Sequence, residues 1–535
     1  MNKYTLTGLS VAGGVLTGLA WTNLGTGLML LAGFVPFLMI EDHICKNRKK
    51  YSENAVFLYI LPGYVIFSLI AIGWLRAISI VAALTVIMCV SLIMTFIWWS
   101  AHKIRIRAGL PAGYLSLTAF WLLYEFLCLN SGILSPWLNL GNGLAKDILF
   151  IQWYEFTGAP GGTFWIIVSN LFLWLTLSCW QQKKPKRLSI LSAWLLIIAI
   201  PSILSIMIFA NQKSDESTGN EVVIVQPNYD PYFEKYSIPF KTQLEKALKM
   251  AESAATPSTS WIVMPETVVD DPVNELTAGE NDYIRMIKAL NVKFPQVNTI
   301  SGMVTYIPGG ADENDIRGSI NDNVMNDAIR FNSALNIGAG DKIEIYHKSK
   351  LVPGFENIPV HRFFRFINLM IPVLGNANWD YGVQEEREVF TGSGQKSKVA
   401  PLICYESVFG EYVTGYVNKG AEALFIITND GWWKNTSGYK QHLSFASIRA
   451  IETRRPVVRS ANTGISCFID TRGRITRQTE WWNSSVLTGK VYPQQRITVY
   501  ARYGDIILRS ALLTSILILI WIFFAAPLRK KIKKQ

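Results

Sequence analysis

Charged residues make up only 17% of this 535-residue chain, and it carries just five histidines and six cysteines. Each scarcity excludes something. A chain that is half apolar and so sparsely charged reads neither as a disordered segment nor as an ordinary soluble domain, and it points to membrane-embedded stretches. The cysteines (Cys45, Cys89, Cys128, Cys179, Cys404 and Cys467) stand apart, with no CxxC or other metal-like spacing. That argues against a zinc site and against a dense disulfide framework. A Cys404 to Cys467 bridge is disfavoured because both residues sit in apolar, strand-like runs. The histidines are equally dispersed, so no resident metal or cofactor is expected, and His442 reads as structural. No internal repeat or long low-complexity linker is present.

The net charge of +12 raises the question of a nucleic-acid or acidic-lipid partner, and the placement of the basic residues answers it. Seventeen of them flank apolar runs: Lys3, then Lys46, Arg48, Lys49 and Lys50, then Lys103, Arg105 and Arg107, then Lys183, Lys184, Lys186 and Arg187, and the tail Arg529, Lys530, Lys531, Lys533 and Lys534. Only three acids, Glu41, Asp42 and Glu53, lie among them, and the rest of the chain sums to −2. The basicity is therefore topology information, and no nucleic-acid partner is expected.

Crossing ~30 Å of hydrocarbon takes about 20 apolar residues. Eight stretches approach this: Leu6 to Trp21, Leu24 to Ile40, Val56 to Gly73, Ile78 to Trp98, Pro111 to Leu129, Gly162 to Trp180, Leu188 to Phe209 and Ile506 to Phe524. The first two are short, and no small-x-small cleavage site marks the first as a signal peptide. A cytoplasmic N-terminus puts every basic cluster inside, leaving only Arg76 and Lys146 on the short outward connections. This predicts a membrane domain of seven helices over 1–210, an outward-facing domain over 211–505, and a last helix with a basic cytoplasmic tail over 506–535. In a bacterium that describes a multi-pass inner-membrane protein with a periplasmic domain and both termini in the cytoplasm.

The outward segment reads as α/β, with buried strands alternating with helices in a layered sandwich. Expected strands are 221–225, 261–264, 299–306, 331–337, 342–347, 399–404, 423–428, 457–460 and 464–470; expected helices are 240–254, 282–290, 408–417 and 439–453. Three of these strands end on a reactive side chain: Met264-Pro265-Glu266-Thr267, Tyr346-His347-Lys348 with Leu351-Val352-Pro353 after it, and Leu402-Ile403-Cys404-Tyr405-Glu406. Strand C-termini are where α/β folds open crevices. Together the three side chains suit nucleophilic acyl transfer. A thiol is mostly protonated at neutral pH and needs a base, for which Glu266 is suited. The oxyanion needs a cation or donors, for which Lys348 and the Tyr405 N–H are suited. His347 is a rival base.

This ordered set resembles the carbon-nitrogen hydrolase (nitrilase) superfamily, and within it the membrane-bound apolipoprotein N-acyltransferases, over nearly the whole chain. Gln226-Pro227-Asn228, Phe331-Asn332-Ser333-Ala334, Thr428-Asn429-Asp430-Gly431-Trp432, Gln441-His442, Arg454-Arg455-Pro456 and Asn462-Thr463-Gly464 extend the likeness. The resemblance implies an αββα catalytic domain with Cys404 as nucleophile, Glu266 as general base and Lys348 as electrostatic stabiliser. It implies supporting roles for Glu356, Tyr405 and Glu406, for which packing at a strand end is the rival reading of the last two. The family's Phe-Gly-Glu stands here as Gly354-Phe355-Glu356, and its mobile-arm tryptophan has no clear counterpart among Tyr232, Phe233 and Tyr236. The implied reaction moves an acyl chain from a phospholipid, phosphatidylethanolamine by preference, to the amine of a diacylglyceryl-cysteine apolipoprotein through a Cys404 thioester. A membrane-tethered amidase using the same three residues is the alternative. Two further features stand out. His361 to Leu374 is apolar enough to form a lid at the bilayer, a core helix being the competing reading. Glu125 lies within an apolar span, where it either bonds a structural partner or handles substrate.

Overall fold

The computed structural model describes residues 1–212, 219–308, 328–353, 355–356, 381–392, 394 and 397–532, with side chains to 522. The segment His361 to Leu374 lies outside the described residues. The chain divides into two compact units, Met1–Ala210 with Tyr503–Gln535, and Asn211–Arg502.

The first unit is helical. Six helical stretches are long and apolar enough to cross a membrane: Gly27–Lys46, Ala55–Ala77, Ile80–Ala108, Leu110–Asn130, Tyr154–Gln181 and Arg187–Asn211. The 17-residue helix Lys3–Leu19 precedes them and Ile506–Ile532, apolar over Ile506–Ile522, follows. Among the described residues these helices overlap the eight stretches read from the sequence, with six of them long and apolar enough to cross a membrane. The sixth begins earlier than expected because a break at Gly158 (φ 65°, ψ −176°) and Pro160 joins an additional turn to it.

Small residues set the packing. A Cβ on Gly14 would come within 2.2 Å of the Gly63 carbonyl oxygen, so Lys3–Leu19 and the Pro62-containing helix Ala55–Ile72 meet backbone to backbone. Ser10 Oγ, across that contact, accepts the Gly63 N–H at 2.9 Å. Elsewhere Arg105 pairs with Glu41 and, at 2.5 Å, with Asp42, while His102 Nδ1 lies 2.6 Å from Glu41, joining Val35–Lys46 to Ile80–Ala108.

Irregular backbone in a helical membrane unit needs partners from the protein itself, and Glu125 supplies them. Its Oε1 accepts the Leu140 N–H at 2.7 Å and its Oε2 accepts the Thr163 hydroxyl at 2.8 Å. Thr163 Oγ1 accepts from Gly141 N–H at 2.9 Å, and Tyr154 OH donates to Gly141 O at 2.9 Å. Of the two readings of Glu125, these bonds carry the structural one. Glu125→Leu strands a backbone N–H and a hydroxyl and is expected to cost about 2 kcal/mol. The expected readout is a lower Tm in detergent, with a much smaller drop for Glu125→Gln, which still accepts. An unchanged Tm for the leucine variant would contradict this role.

The second unit is two sheets face to face with helices outside. The strands are β1 (Asn220–Gln226), β2 (Thr259–Val263), β3 (Val269–Asn274), β4 (Asn298–Ile307), β5 (Ile329–Ile337), β6 (Ile343–His347), β7 (Phe390–Thr391), β8 (Lys398–Ile403), β9 (Ala423–Thr428), β10 (Val457–Ala461), β11 (Cys467–Ile469), β12 (Ile475–Gln478) and β13 (Ser485–Val491). One sheet runs β13-β1-β2-β4-β5-β6 with β3 also on β4; the other runs β12-β11-β10-β9-β8-β7. Helices Phe240–Ala254 and Asp282–Lys293 bury Leu244, Ala247, Ile284 and Ile287 against Val223, Val225, Ile262 and Met303. Both faces of β1, β8 and β9 are apolar because each is covered, by a helix on one side and the other sheet on the other. Trp261 meets Phe425 edge-on at 5.6 Å, and Ser460 Oγ donates to Val225 O at 3.0 Å, joining the sheets. β3, β12 and β13 escape the sequence reading: Asp270, Asp271 and Pro272 interrupt the first, and β12 and β13 are largely polar or half-exposed.

Candidate active site

Strand C-termini deliver the three reactive residues, two from the parallel-paired β2 and β8 and one from β6, which pairs antiparallel with β5. β1, β2 and β4 pair in parallel in one sheet, and β8, β9 and β10 in the other. Glu266 follows β2, Lys348 follows β6 directly, and Cys404 follows β8 directly. Gly302 in β4 makes room for the turn that carries Glu266, since a Cβ there would lie 2.6 Å from both Glu266 Cα and Thr267 N. Cys404 stands at φ 51°, a left-handed conformation uncommon for a residue with a Cβ.

Lys348, only 1% exposed, donates to Glu266 Oε1 at 3.0 Å and to Glu356 Oε1 at 2.8 Å. Asn332, on β5, donates its amide to both carboxylates, at 2.9 and 3.0 Å. Glu266 Oε2 also accepts the Asn429 N–H at 3.1 Å, so a residue following β9 in one sheet fixes a carboxylate following β2 in the other. Glu356 Oε2 accepts from Val352 N–H at 2.9 Å, which ties this carboxylate to the backbone that follows Lys348. Cys404 is buried and feels the charges of both Glu266 and Lys348. All three sequence-predicted residues, with Glu356, therefore occupy one region.

Glu406 is fully buried and acts as a hub. It accepts from Tyr346 OH at 2.5 Å, Ser349 N–H at 2.7 Å, Ile403 N–H at 2.8 Å and Tyr412 OH at 3.2 Å. It thereby fixes the backbone on both sides of the site, next to Cys404 and next to Lys348. Tyr405 opens the 3₁₀ turn Cys404–Val408 with its ring edge-on to Phe409 at 5.1 Å. Cys404 and Cys467 are free thiols. His347 stacks on Phe331 at 4.0 Å with Nδ1 2.9 Å from Ser333 Oγ, and burial lowers its pKa to about 4. Nδ1 is thus taken by Ser333, and Nε2 faces Glu275 at 3.6 Å.

The charges fix the resting proton. Burial works against ionising Glu266, but Lys348, the Asn332 bond and Lys235 outweigh it and hold the carboxyl below its ordinary value. Burial also opposes the Lys348 ammonium, yet Glu266, Glu356 and Cys404 raise it well above the usual lysine range. The Cys404 thiol is pushed up by burial and by the Glu266 charge, with Lys348 pulling the other way. At rest the proton stays on sulfur, beside an ionised carboxylate.

Four participants were not singled out from the sequence. Asn332, Asn429 and Asp430 lie inside quoted motifs, so position alone was the signal. Lys235 gave none: it is 4% exposed, hydrogen-bonds Thr267 Oγ1 and lies 3.8 Å from Asp270.

Lys348→Met removes the ammonium between two carboxylates and is expected to cost about 3–5 kcal/mol at pH 8. With its partner gone, Glu266 has a folded pKa above its unfolded one. Its penalty then grows as pH rises through that interval and is relieved as pH falls. Urea unfolding from pH 8 to 5 should show the variant gaining stability relative to the wild type; a constant difference between the two would refute the charge pairing.

A family profile for carbon-nitrogen hydrolases matches residues 221–500, and one for the apolipoprotein N-acyltransferase N-terminal domain matches residues 13–172. A Chlorobaculum tepidum protein described as an apolipoprotein N-acyltransferase is 28% identical over 508 residues, 93% of each chain. One from Geobacter metallireducens with the same description is 27% identical over 412 residues, 75% of this chain and 73% of its own. A solved Saccharomyces cerevisiae structure from branch 10 of the nitrilase superfamily covers 52% of this chain and 91% of its own, at 15% identity and a TM-score of 0.38. With long apolar helices beside them, these matches describe a bacterial membrane enzyme. Because the hydrolase profile spans more than half of its residues and the N-terminal profile covers most of its helical part, the chain belongs to the carbon-nitrogen hydrolase family, in its membrane-bound apolipoprotein N-acyltransferase branch.

Proposed function

We propose that this acyltransferase takes a fatty acyl chain from a phospholipid, with phosphatidylethanolamine as the preferred donor, and passes it to the α-amine of a diacylglyceryl-cysteine apolipoprotein through a thioester on Cys404. The observation that carries the reading is the Lys348 ammonium bridging Glu266 and Glu356 within electrostatic reach of the Cys404 thiol. The descriptions of the Chlorobaculum tepidum and Geobacter metallireducens relatives as apolipoprotein N-acyltransferases support the class of acceptor.

The chemistry follows from the resting proton. Glu266 accepts the proton of Cys404 as sulfur attacks the ester carbonyl, so no free thiolate accumulates next to two carboxylates. The negative charge moves to the carbonyl oxygen, where Lys348 and the Tyr405 N–H stabilise it. Collapse of the intermediate breaks the C–O bond, and protonated Glu266 returns its proton to the leaving lysophospholipid alkoxide. In the second half the lipoprotein amine attacks the thioester, Glu266 takes one amine proton, and the Cys404 sulfur leaves and is reprotonated. Glu356 holds Lys348, and Glu406 holds the strand ends. Two sequential transfers through one residue give ping-pong kinetics.

The membrane helices fit this reaction. Both substrates are lipids, and extracting an acyl chain into water costs ~0.8 kcal/mol per CH₂. The placement of the basic clusters supports an inner-membrane protein with 211–505 in the periplasm and both termini in the cytoplasm. After incubation with phospholipid, intact-mass analysis should find an acyl adduct on Cys404 that hydroxylamine removes and that Cys404→Ala lacks. Turnover of a small amide with no lipid present and no such adduct would instead establish a tethered amidase.

A further inference from the structure

Against the Cys404 backbone carbonyl lies a buried polar array that the proposed chemistry leaves without a task. It comprises Ser407, Thr428, Asp430, His442 and Arg459, none more than 1% exposed. Four elements deliver it: Thr428 ends β9 with Asp430 after it, Arg459 lies on β10, Ser407 lies in the turn Cys404–Val408, and His442 lies on the helix Ser437–Thr453.

The array closes on the nucleophile's carbonyl. Ser407 Oγ donates to Cys404 O at 2.8 Å, and His442 Nε2 lies 3.1 Å from the same oxygen. Nε2 also lies 3.0 Å from Ser407 Oγ, whose single proton goes to Cys404 O, and a carbonyl only accepts, so bonds from Nε2 to either oxygen require the proton on that nitrogen. On the far side of the ring, Nδ1 lies 3.0 Å from Asp430 Oδ1 and 3.1 Å from Arg459 Nη2. Asp430 is held in turn by Arg459 at 2.6 Å and by Thr428 Oγ1 at 2.9 Å. Burial disfavours its charge, but Arg459 and then His442 keep it ionised, well below the usual carboxylate range. The Trp433 ring stands edge-on to the imidazole at 5.3 Å.

Ser407, His442 and Asp430 fall in the bonding order of a hydrolytic serine triad. The hydroxyl, however, is sealed from solvent and directed at the Cys404 carbonyl, which leaves no second nucleophile there. What the array does touch is a strained residue. Cys404 keeps a left-handed backbone at φ 51°, a conformation that persists in a residue with a Cβ only where the surroundings over-determine it.

We infer that His442 is a positioning residue: its Nε2–H, together with the Ser407 hydroxyl, pins the Cys404 carbonyl and so aims the sulfur at the acyl donor. This rests on the acyl-enzyme reading above and assigns its control of geometry to residues outside the Glu266, Lys348 and Cys404 set. The charged groups facing the imidazole are Asp430 and Arg459, so the ring is oriented by an ion pair that is itself neutral overall.

The test is single-turnover formation of the Cys404 adduct in the detergent-solubilised full chain, with phosphatidylethanolamine as donor. His442→Leu keeps bulk and loses the donor; His442→Gln restores an N–H near the Nε2 position, and His442→Asn restores one near Nδ1. Expected is a fall in the acylation rate constant of about tenfold or more for Leu, with the donor KM within about twofold and Gln recovering most of the loss. If Leu does not fold, Gln acylating about tenfold faster than Asn supports the inference and equal rates overturn it. A leucine variant acylating at the wild-type rate, or one as impaired as Gln, overturns this role alone. A wild-type protein that forms no adduct on Cys404 overturns the acyl-enzyme reading and this role with it.

Discussion

One buried ammonium shared by two carboxylates sets the terms for the catalytic unit. Lys348 has almost no access to water, and a lysine in that position is tolerable only if its charge is answered in place. Glu266 and Glu356 answer it, and in doing so Lys348 keeps Glu266 charged where burial alone would favour the neutral acid. Burial, and then the Glu266 charge, keep the nearby thiol protonated at rest. Ionised base, protonated nucleophile and fixed cation follow from a single arrangement of charge, and Asn332, Asn429 and Val352 hold it through bonds from three separate stretches of chain.

That arrangement explains the sandwich around it. A carboxylate at the end of β2 and a thiol at the end of β8 meet only if two parallel-centred sheets are stacked with their strand ends aligned. Trp261 against Phe425 and Ser460 on Val225 keep the sheets in register. Glu406 adds a second buried carboxylate bonded to backbone on both sides of the crevice. In the helical unit Glu125 uses the same device, where a carboxylate bonds the irregular backbone after Asn139 in place of water.

Much of this was legible in the sequence because period and polarity coincide with burial. β8 and β9 are apolar on both faces apart from Lys398 and Thr428 at their ends, and β4 and β5, which mix apolar with small polar residues, stop at Pro308 and Gly338. Pro-Glu, His-Lys and Ile-Cys-Tyr-Glu carry reactive side chains at those ends, so the composition of the site could be read. Its wiring could not. The spacing of Asn332 gives no sign that its amide joins two glutamates, and Lys235 sits in a turn-rich segment with no periodic pattern at all. β3 was invisible for a related reason: Val269, Val273 and Asn274 pair through the backbone with β4 across an irregularity at Asp270 and Asp271, and backbone pairing leaves no mark on composition.

The central claim is that Glu266 acts on the Cys404 proton rather than merely bracing Lys348. Replacing it by glutamine separates these, because removing a negative charge beside the thiol makes thiolate easier to form while removing the proton acceptor. Two rates measured on Glu266→Gln are decisive: iodoacetamide alkylation of Cys404 and single-turnover acylation from phospholipid at the same pH. The account predicts alkylation no slower than in the wild type and acylation slower by about a hundredfold or more. Acylation at the wild-type rate, or both rates falling together, would contradict it.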